Sequence, residues 1–148
     1  MKITICGSLS FYKEMTGVQQ QLQNLGHEVK LTEPHIKDKN GDVMDIKDYD
    51  RLRRSEKNND SWIWAKKNKE MRLFFKKIEW CDAIIVLNYD KNNIANYIGG
   101  NAFMEMGIAF YLDKKIFLLN NIPEMAYCKE EIVSMKPAIL NGNLTKIQ

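Results

Sequence analysis

The chain has 148 residues, 45% of them hydrophobic and 28% charged, and a net charge of +3. That is the length of one domain with a sizeable core, in the proportions of an ordinary globular protein. No apolar run approaches the roughly 18 residues that span a bilayer, and the charge is too modest to demand a nucleic-acid partner.

Met1-Lys2-Ile3-Thr4-Ile5 enters a strand pattern at once, with no basic-then-apolar leader, so a cytoplasmic protein is expected. Cys6, Cys81 and Cys128 form no CxxC pair, and only His27 and His35 could join them. Neither a disulfide framework nor a metal site is therefore expected. Cys6 and Cys81 sit in apolar company and read as small buried residues.

Lys2 to Cys6 reads as a short buried strand closed by Gly7-Ser8. Phe11, Met15, Val18, Leu22 and Leu25 then recur at helical spacing, with Ser10 placed to cap the start and Gly26 suited to the end. Val29 to Thr32 gives a second strand, closed by Glu33-Pro34. Residues 35–60 are polar and charge-dense, which predicts a long loop or lid. Helical order returns from Ser61 to Trp80, with Trp64, Met71, Phe74, Phe75 and Ile78 on one side.

Asp82 to Leu87 is the clearest strand, apolar almost throughout as a central parallel strand should be, with Asp82 as a cap or turn residue. A polar loop, a helix from about Asn101 to Leu112 and a strand from Lys115 to Leu119 follow. A short helix over 130–135 and an edge strand over 137–140 complete the pattern. The alternation predicts an α/β fold: a Rossmann- or flavodoxin-like three-layer sandwich with a mainly parallel five-stranded sheet in order 2-1-3-4-5. One domain over residues 1–148 is expected.

Ligands in such sheets bind beyond the carboxyl ends of the strands. Gly7, Ser8 and Ser10 sit at the first of these ends, where glycine permits close backbone approach and a helix start attracts an anion. Gly99-Gly100-Asn101 is a more specific turn, and Glu105 follows it on the next helix. Glu105 fits no capping box, because Ala102 would be a poor N-cap and Asn101 falls one position off register. It interrupts the apolar side of its helix, beside Ala102, Ile108 and Ala109, with Asn101 at i−4. A carboxylate there is costly unless it is paired or faces a cleft. Glu33, Asp90, Tyr12 and Tyr89 are further groups at the same edge that could move protons. The basic residues over 51–54 and 66–77 read first as a solvated helix face, and second as an attraction for phosphate. Walker, GxGxxG and GxSxG motifs are absent, so no cofactor is expected.

Ile5-Cys6-Gly7-Ser8, Leu31-Thr32-Glu33, Cys81 to Val86, and above all Met104-Glu105-Met106-Gly107-Ile108-Ala109 with Lys114 to Leu118 resemble the nucleoside 2-deoxyribosyltransferase superfamily. The likeness includes its nucleotide N-hydrolase branch and covers most of the chain outside 35–60. It implies that Glu105 attacks the anomeric carbon of a (deoxy)ribosyl unit and displaces the base. It further implies that Gly7 and Ser8 hold the sugar or its 5′-phosphate and that Tyr12 lies near the nucleophile. The family's aspartate about eight residues before Asp82 is here Phe74, with Glu70 one turn earlier, and its aspartate six residues before the glutamate is Gly99.

The expected activity is N-glycosidic cleavage or transfer on a nucleoside or nucleoside monophosphate. The alternative is a non-catalytic nucleotide-binding module. The expected partners are such a small molecule and, by resemblance, further copies of the chain in a homodimer or higher oligomer, with Trp62 or Trp64 at the contact. Neither a membrane nor a nucleic acid is expected.

Overall fold

In a computed structural model describing residues 1–148, five parallel strands form the sheet. They are β1 (Lys2–Gly7), β2 (Glu28–Lys30), β5 (Ala83–Leu87), β6 (Lys115–Leu118) and β7 (Ala138–Ile139). All five overlap segments read as strands, although β2 ends at Lys30 rather than Thr32 and β1 runs on to Gly7, and their order is β2-β1-β5-β6-β7. Counted along the chain this is 2-1-5-6-7 rather than 2-1-3-4-5, because two further strands precede β5 without entering the sheet. No helix is long and apolar enough to cross a membrane.

The sheet separates two apolar clusters, as the period-2 alternation of strand side chains requires. Ile3, Ile5, Ile85 and Leu87 pack against α1 (Tyr12–Asn24) through Met15, Val18 and Leu22, together with the C-terminal Leu140, Leu144 and Ile147. Cys6, Ile84, Val86 and Leu118 face the other way. There they meet α3 (Trp62–Trp80), α4 (Gly100–Tyr111) and α5 (Lys129–Met135). β5 is buried at all five positions, as its central place predicts. Asp82 is a terminal residue, its carboxylate accepting from the Lys2 N–H at 2.7 Å. The cysteines are all buried and free.

The main departure from the sequence reading lies at 35–60, which is no structureless lid. An antiparallel hairpin, β3 (His35–Lys37) and β4 (Val43–Asp45), leads directly into α2 (Ile46–Ser55). Asp45 caps α2 by accepting from the Lys47 N–H at 2.8 Å, which satisfies one of the orphan donors of the first turn. Ile36, Ile46 and Tyr49 turn inward and form a small third core with Ile63 of α3. Trp62 and Trp64 pack on this cluster, and the Trp64 indole N–H donates to the Asn58 carbonyl at 2.8 Å. Both tryptophans thus have an intramolecular role.

The start of α1 also differs. Ser8 caps a short 3-10 turn over Leu9–Phe11, and α1 begins only at Tyr12, so Ser10 is not its cap.

Because the small core rests on so few side chains, Ile46→Ala should cost about 2–4 kcal/mol of stability. It should also raise hydrogen exchange across 43–55 selectively. Denaturant midpoints and exchange of that segment check both expectations; unchanged exchange there would refute the anchoring role of Ile46.

Candidate active site

The carboxyl end of β1 and the chain leaving β2, through Thr32 and Glu33, line a cavity of about 630 Å³. Its floor is Ile5, Gly7 and Ser8 at the end of β1, and one wall is the start of α4, Gly99 to Ala102 with Glu105. The opposite side comes from α2, with Tyr49 and Arg53, and from α3, with Lys67, Glu70 and Phe74. The excursion read as a lid is therefore a packed wall.

Gly7 is required by its surroundings. It sits at φ +150°, and a Cβ there would lie 3.1 Å from both the Leu87 carbonyl oxygen and the Met15 methyl. A Cβ on Gly100 would meet no protein atom within 4 Å, so the protein leaves open space beside the start of α4. Gly99 is the N-cap of α4, without a side-chain bond, which puts Glu105 in the second turn rather than the first.

Glu105 is only 4% exposed. The Asn101 amide donates to its Oε1 at 2.7 Å, one helical turn back, while Oε2 has no hydrogen-bond partner. Burial pushes its carboxyl up to about 8, and the Cys6 thiol beside it opposes the shift without reaching hydrogen-bond geometry at Oε2. Burial also raises the Cys6 thiol well above its ordinary value, and the neighbouring Glu105 raises it further. A carboxyl poised near neutrality with an open lone pair can act as nucleophile, base or acid, according to its charge state.

Two other buried side-chain atoms lack partners, the Tyr49 hydroxyl and Arg53 Nε. All three orphan atoms belong to residues that line this one cavity. Each such atom costs on the order of 1–3 kcal/mol when left unmet. No other side chain in the protein carries such an atom.

The remaining expected residues divide. Glu33 lines the cavity and pairs with Lys77 at 2.9 Å. Ser8 lines it, whereas Ser10 is exposed and outside the lining. The Lys91 ammonium donates to both hydroxyls, at 2.8 and 2.9 Å. Tyr12 is not part of the lining: its hydroxyl donates to the Thr32 carbonyl at 3.0 Å, and its ring packs on the apolar clusters. Asp90 is exposed and outside the lining, accepting from the Asn96 N–H at 2.9 Å to close its own loop. Tyr89 packs edge-on against Phe11.

Sequence reasoning missed Tyr49 and gave Arg53 and Lys67 mainly a solvent role. Two signals were present: the Asp45 cap, and the i, i+3, i+7 spacing of Ile46, Tyr49 and Arg53. No cluster of His, Cys, Asp and Glu is suited to hold a metal ion.

No family model and no curated protein matches the chain. Solved structures do resemble it. One is a 2-deoxyribosyltransferase from the psychrotolerant bacterium Bacillus psychrosaccharolyticus, 20% identical over 80% of this chain and 72% of that one, with a TM-score of 0.46. The Clostridium botulinum CMP N-glycosidase BcmB is 15% identical over 94% and 85%, with a TM-score of 0.48. A conserved protein from Enterococcus faecalis V583 is 16% identical over 92% and 74%, with a TM-score of 0.49. At these values the likeness carries no residue role or activity over to this chain.

The buried carboxyl has a thermodynamic signature. A folded value of about 8, against an ordinary 4.5, means that the native state keeps a proton the unfolded chain has lost. Stability should therefore fall as pH rises through that window and level off above it. Unfolding free energies of wild type and Glu105→Gln, compared across the window, should diverge in the variant's favour with rising pH. A constant difference would mean that Glu105 titrates as an ordinary carboxylate.

Proposed function

We propose that the protein cleaves the N-glycosidic bond of a nucleoside or nucleoside monophosphate, with Glu105 as the nucleophile. The single observation that carries this reading is the Glu105 carboxyl, buried at the cavity wall with Oε2 unpartnered and Oε1 held by Asn101. The sequence resemblance assigns attack on the anomeric carbon to this position.

In its ionised form Glu105 attacks C1′, and the C1′–N bond breaks with its electron pair passing to the base. Water then displaces the carboxylate from C1′, giving its hydroxyl to the sugar and its remaining proton, in the net balance, to the base. Asn101 fixes the carboxyl rotamer and leaves the other oxygen free to react. The positive charge developing on the sugar ring favours the carboxylate form that burial disfavours, so the attacking state is stabilised as the bond breaks. Transfer to a second base in place of water follows the same first step. Tyr12, tied to the Thr32 carbonyl and outside the cavity lining, takes no part in this scheme. Glu70, paired with Lys66 at 3.2 Å, is the cavity carboxylate on α3 one turn before Phe74.

Phe74 in the lining favours a second reading. With an apolar ring where the resembling family carries an acid, the cavity would bind a nucleotide without turning it over.

Incubation with a panel of nucleosides and monophosphates separates the two. Cleavage predicts release of free base and a sugar adduct in intact-mass spectra, both lost in Glu105→Ala by a factor of about a thousand or more. It also predicts that kcat/KM rises with pH until the free-enzyme carboxyl is ionised, near 8. Thermal stabilisation by a nucleotide without free base, retained in Glu105→Gln, would establish the binding module instead.

A further inference from the structure

Beside the cavity wall formed by α2, two arginines hold one carboxylate, and two lysines stand close enough to feel their charge. Arg53 and Arg54 both hold Asp50, Arg54 Nε at 2.9 Å. Arg54 Nη2 also lies 3.5 Å from the hydroxyls of both Ser8 and Ser10. Lys91 reaches the same two hydroxyls from the loop after β5. Asn92, Asn93 and Asn96 hold that loop in left-handed turns (φ 53°, 58° and 56°). Lys67 completes the group from α3, in the cavity lining.

Four positive charges drawn from α2, α3 and the β5–α4 loop thus face only Asp50, leaving the cluster strongly cationic. The strain shows on the lysines. Burial lowers the Lys67 ammonium, and repulsion from Arg53 and Arg54 lowers it further. Burial and then Arg54 lower Lys91 in the same way. Asp50 responds oppositely: burial would raise it, but hydrogen bonds from Arg54 and Arg53 hold it below its ordinary range.

Repelling cations are held together at a cost unless an anion joins them. The unpartnered Arg53 Nε and Tyr49 hydroxyl provide a second, independent sign of a missing occupant. Inside a protein, guanidinium donors and hydroxyls suit phosphate, whose charge near neutral pH is about −1.5 to −2.

We propose that Arg53, Arg54, Lys67 and Lys91, with Ser8 and Ser10, form a phosphate subsite, and that the ligand is therefore a nucleoside monophosphate rather than a nucleoside. The inference rests on the glycosidase reading for the nucleoside part alone; the anion site stands on its own geometry. Seating the phosphate there leaves the sugar between the β1 turn and Glu105. The α2 excursion then selects the substrate, and the sheet edge carries the reaction.

The test compares matched nucleosides and nucleoside 5′-monophosphates by thermal shift and by base release, with wild type, Arg54→Ala, Lys91→Ala and the double variant. Inorganic phosphate and ribose 5-phosphate serve as competitors. Monophosphates should raise Tm where nucleosides do not, and should show KM values at least tenfold lower. The double variant should raise KM for monophosphates at least tenfold and change that for nucleosides far less. Ribose 5-phosphate should compete where ribose does not, a wild-type readout that holds even if a variant fails to fold. Equal binding of nucleosides and monophosphates, or equal loss of both in the double variant, would overturn the subsite. Cation-dependent binding of monophosphates without free base would uphold the subsite and remove the glycosidase reading. Base release indifferent to phosphate would do the reverse.

Discussion

A carboxyl group taken out of water at the junction of β1 and α4 is the constraint around which the site is organised. Glu105 lies against Cys6 on one side and under Asn101 on the other, and neither neighbour carries a compensating positive charge. The cations that line the cavity stand elsewhere, Arg53 on α2 and Lys67, Lys76 and Lys77 on α3. That separation keeps the carboxyl largely protonated at neutral pH and ready to ionise when positive charge appears nearby. A lysine beside Glu105 would hold it as an inert ion pair.

The sheet makes this arrangement affordable in structural terms. β5 is wholly buried and parallel to both neighbours, so the chain ends that carry functional groups are fixed on one side. Asn88, fully buried just after β5, donates to the Asn121 carbonyl at 2.8 Å and accepts from the Asn120 N–H at 2.8 Å. Those bonds tie the exits of β5 and β6 together. The loop that delivers Lys91 and the start of α4 therefore springs from a rigid base.

Much of this frame was legible in the residue pattern. A β-branched run marked β1, apolar runs marked β5 and β6, and the misfit of Glu105 with any capping box marked it as a residue needing another explanation. The excursion over 35–60 was not legible, for a physical reason. Its strands are three residues long, too short for alternation to show, and its helix buries only Ile46, Tyr49 and Asp50. A core of so few side chains leaves the segment's mean polarity that of a loop. Asp90 illustrates the complementary limit. Proximity to a strand end places a residue at the functional edge, but the direction of its side chain depends on the turn, and here the turn uses the carboxylate for itself.

The hairpin and α2 have their own small core, joined to the rest through Ile63 and the flanking aromatic residues, and they contribute no strand to the sheet. Mutational drift in this unit need not disturb the register of β1, β5 and β6 or the setting of Glu105. The molecule thus divides into a part that tolerates innovation and a part that does not. Changes in one helix would reshape a wall of the cavity while the sheet edge and the setting of Glu105 stay in place.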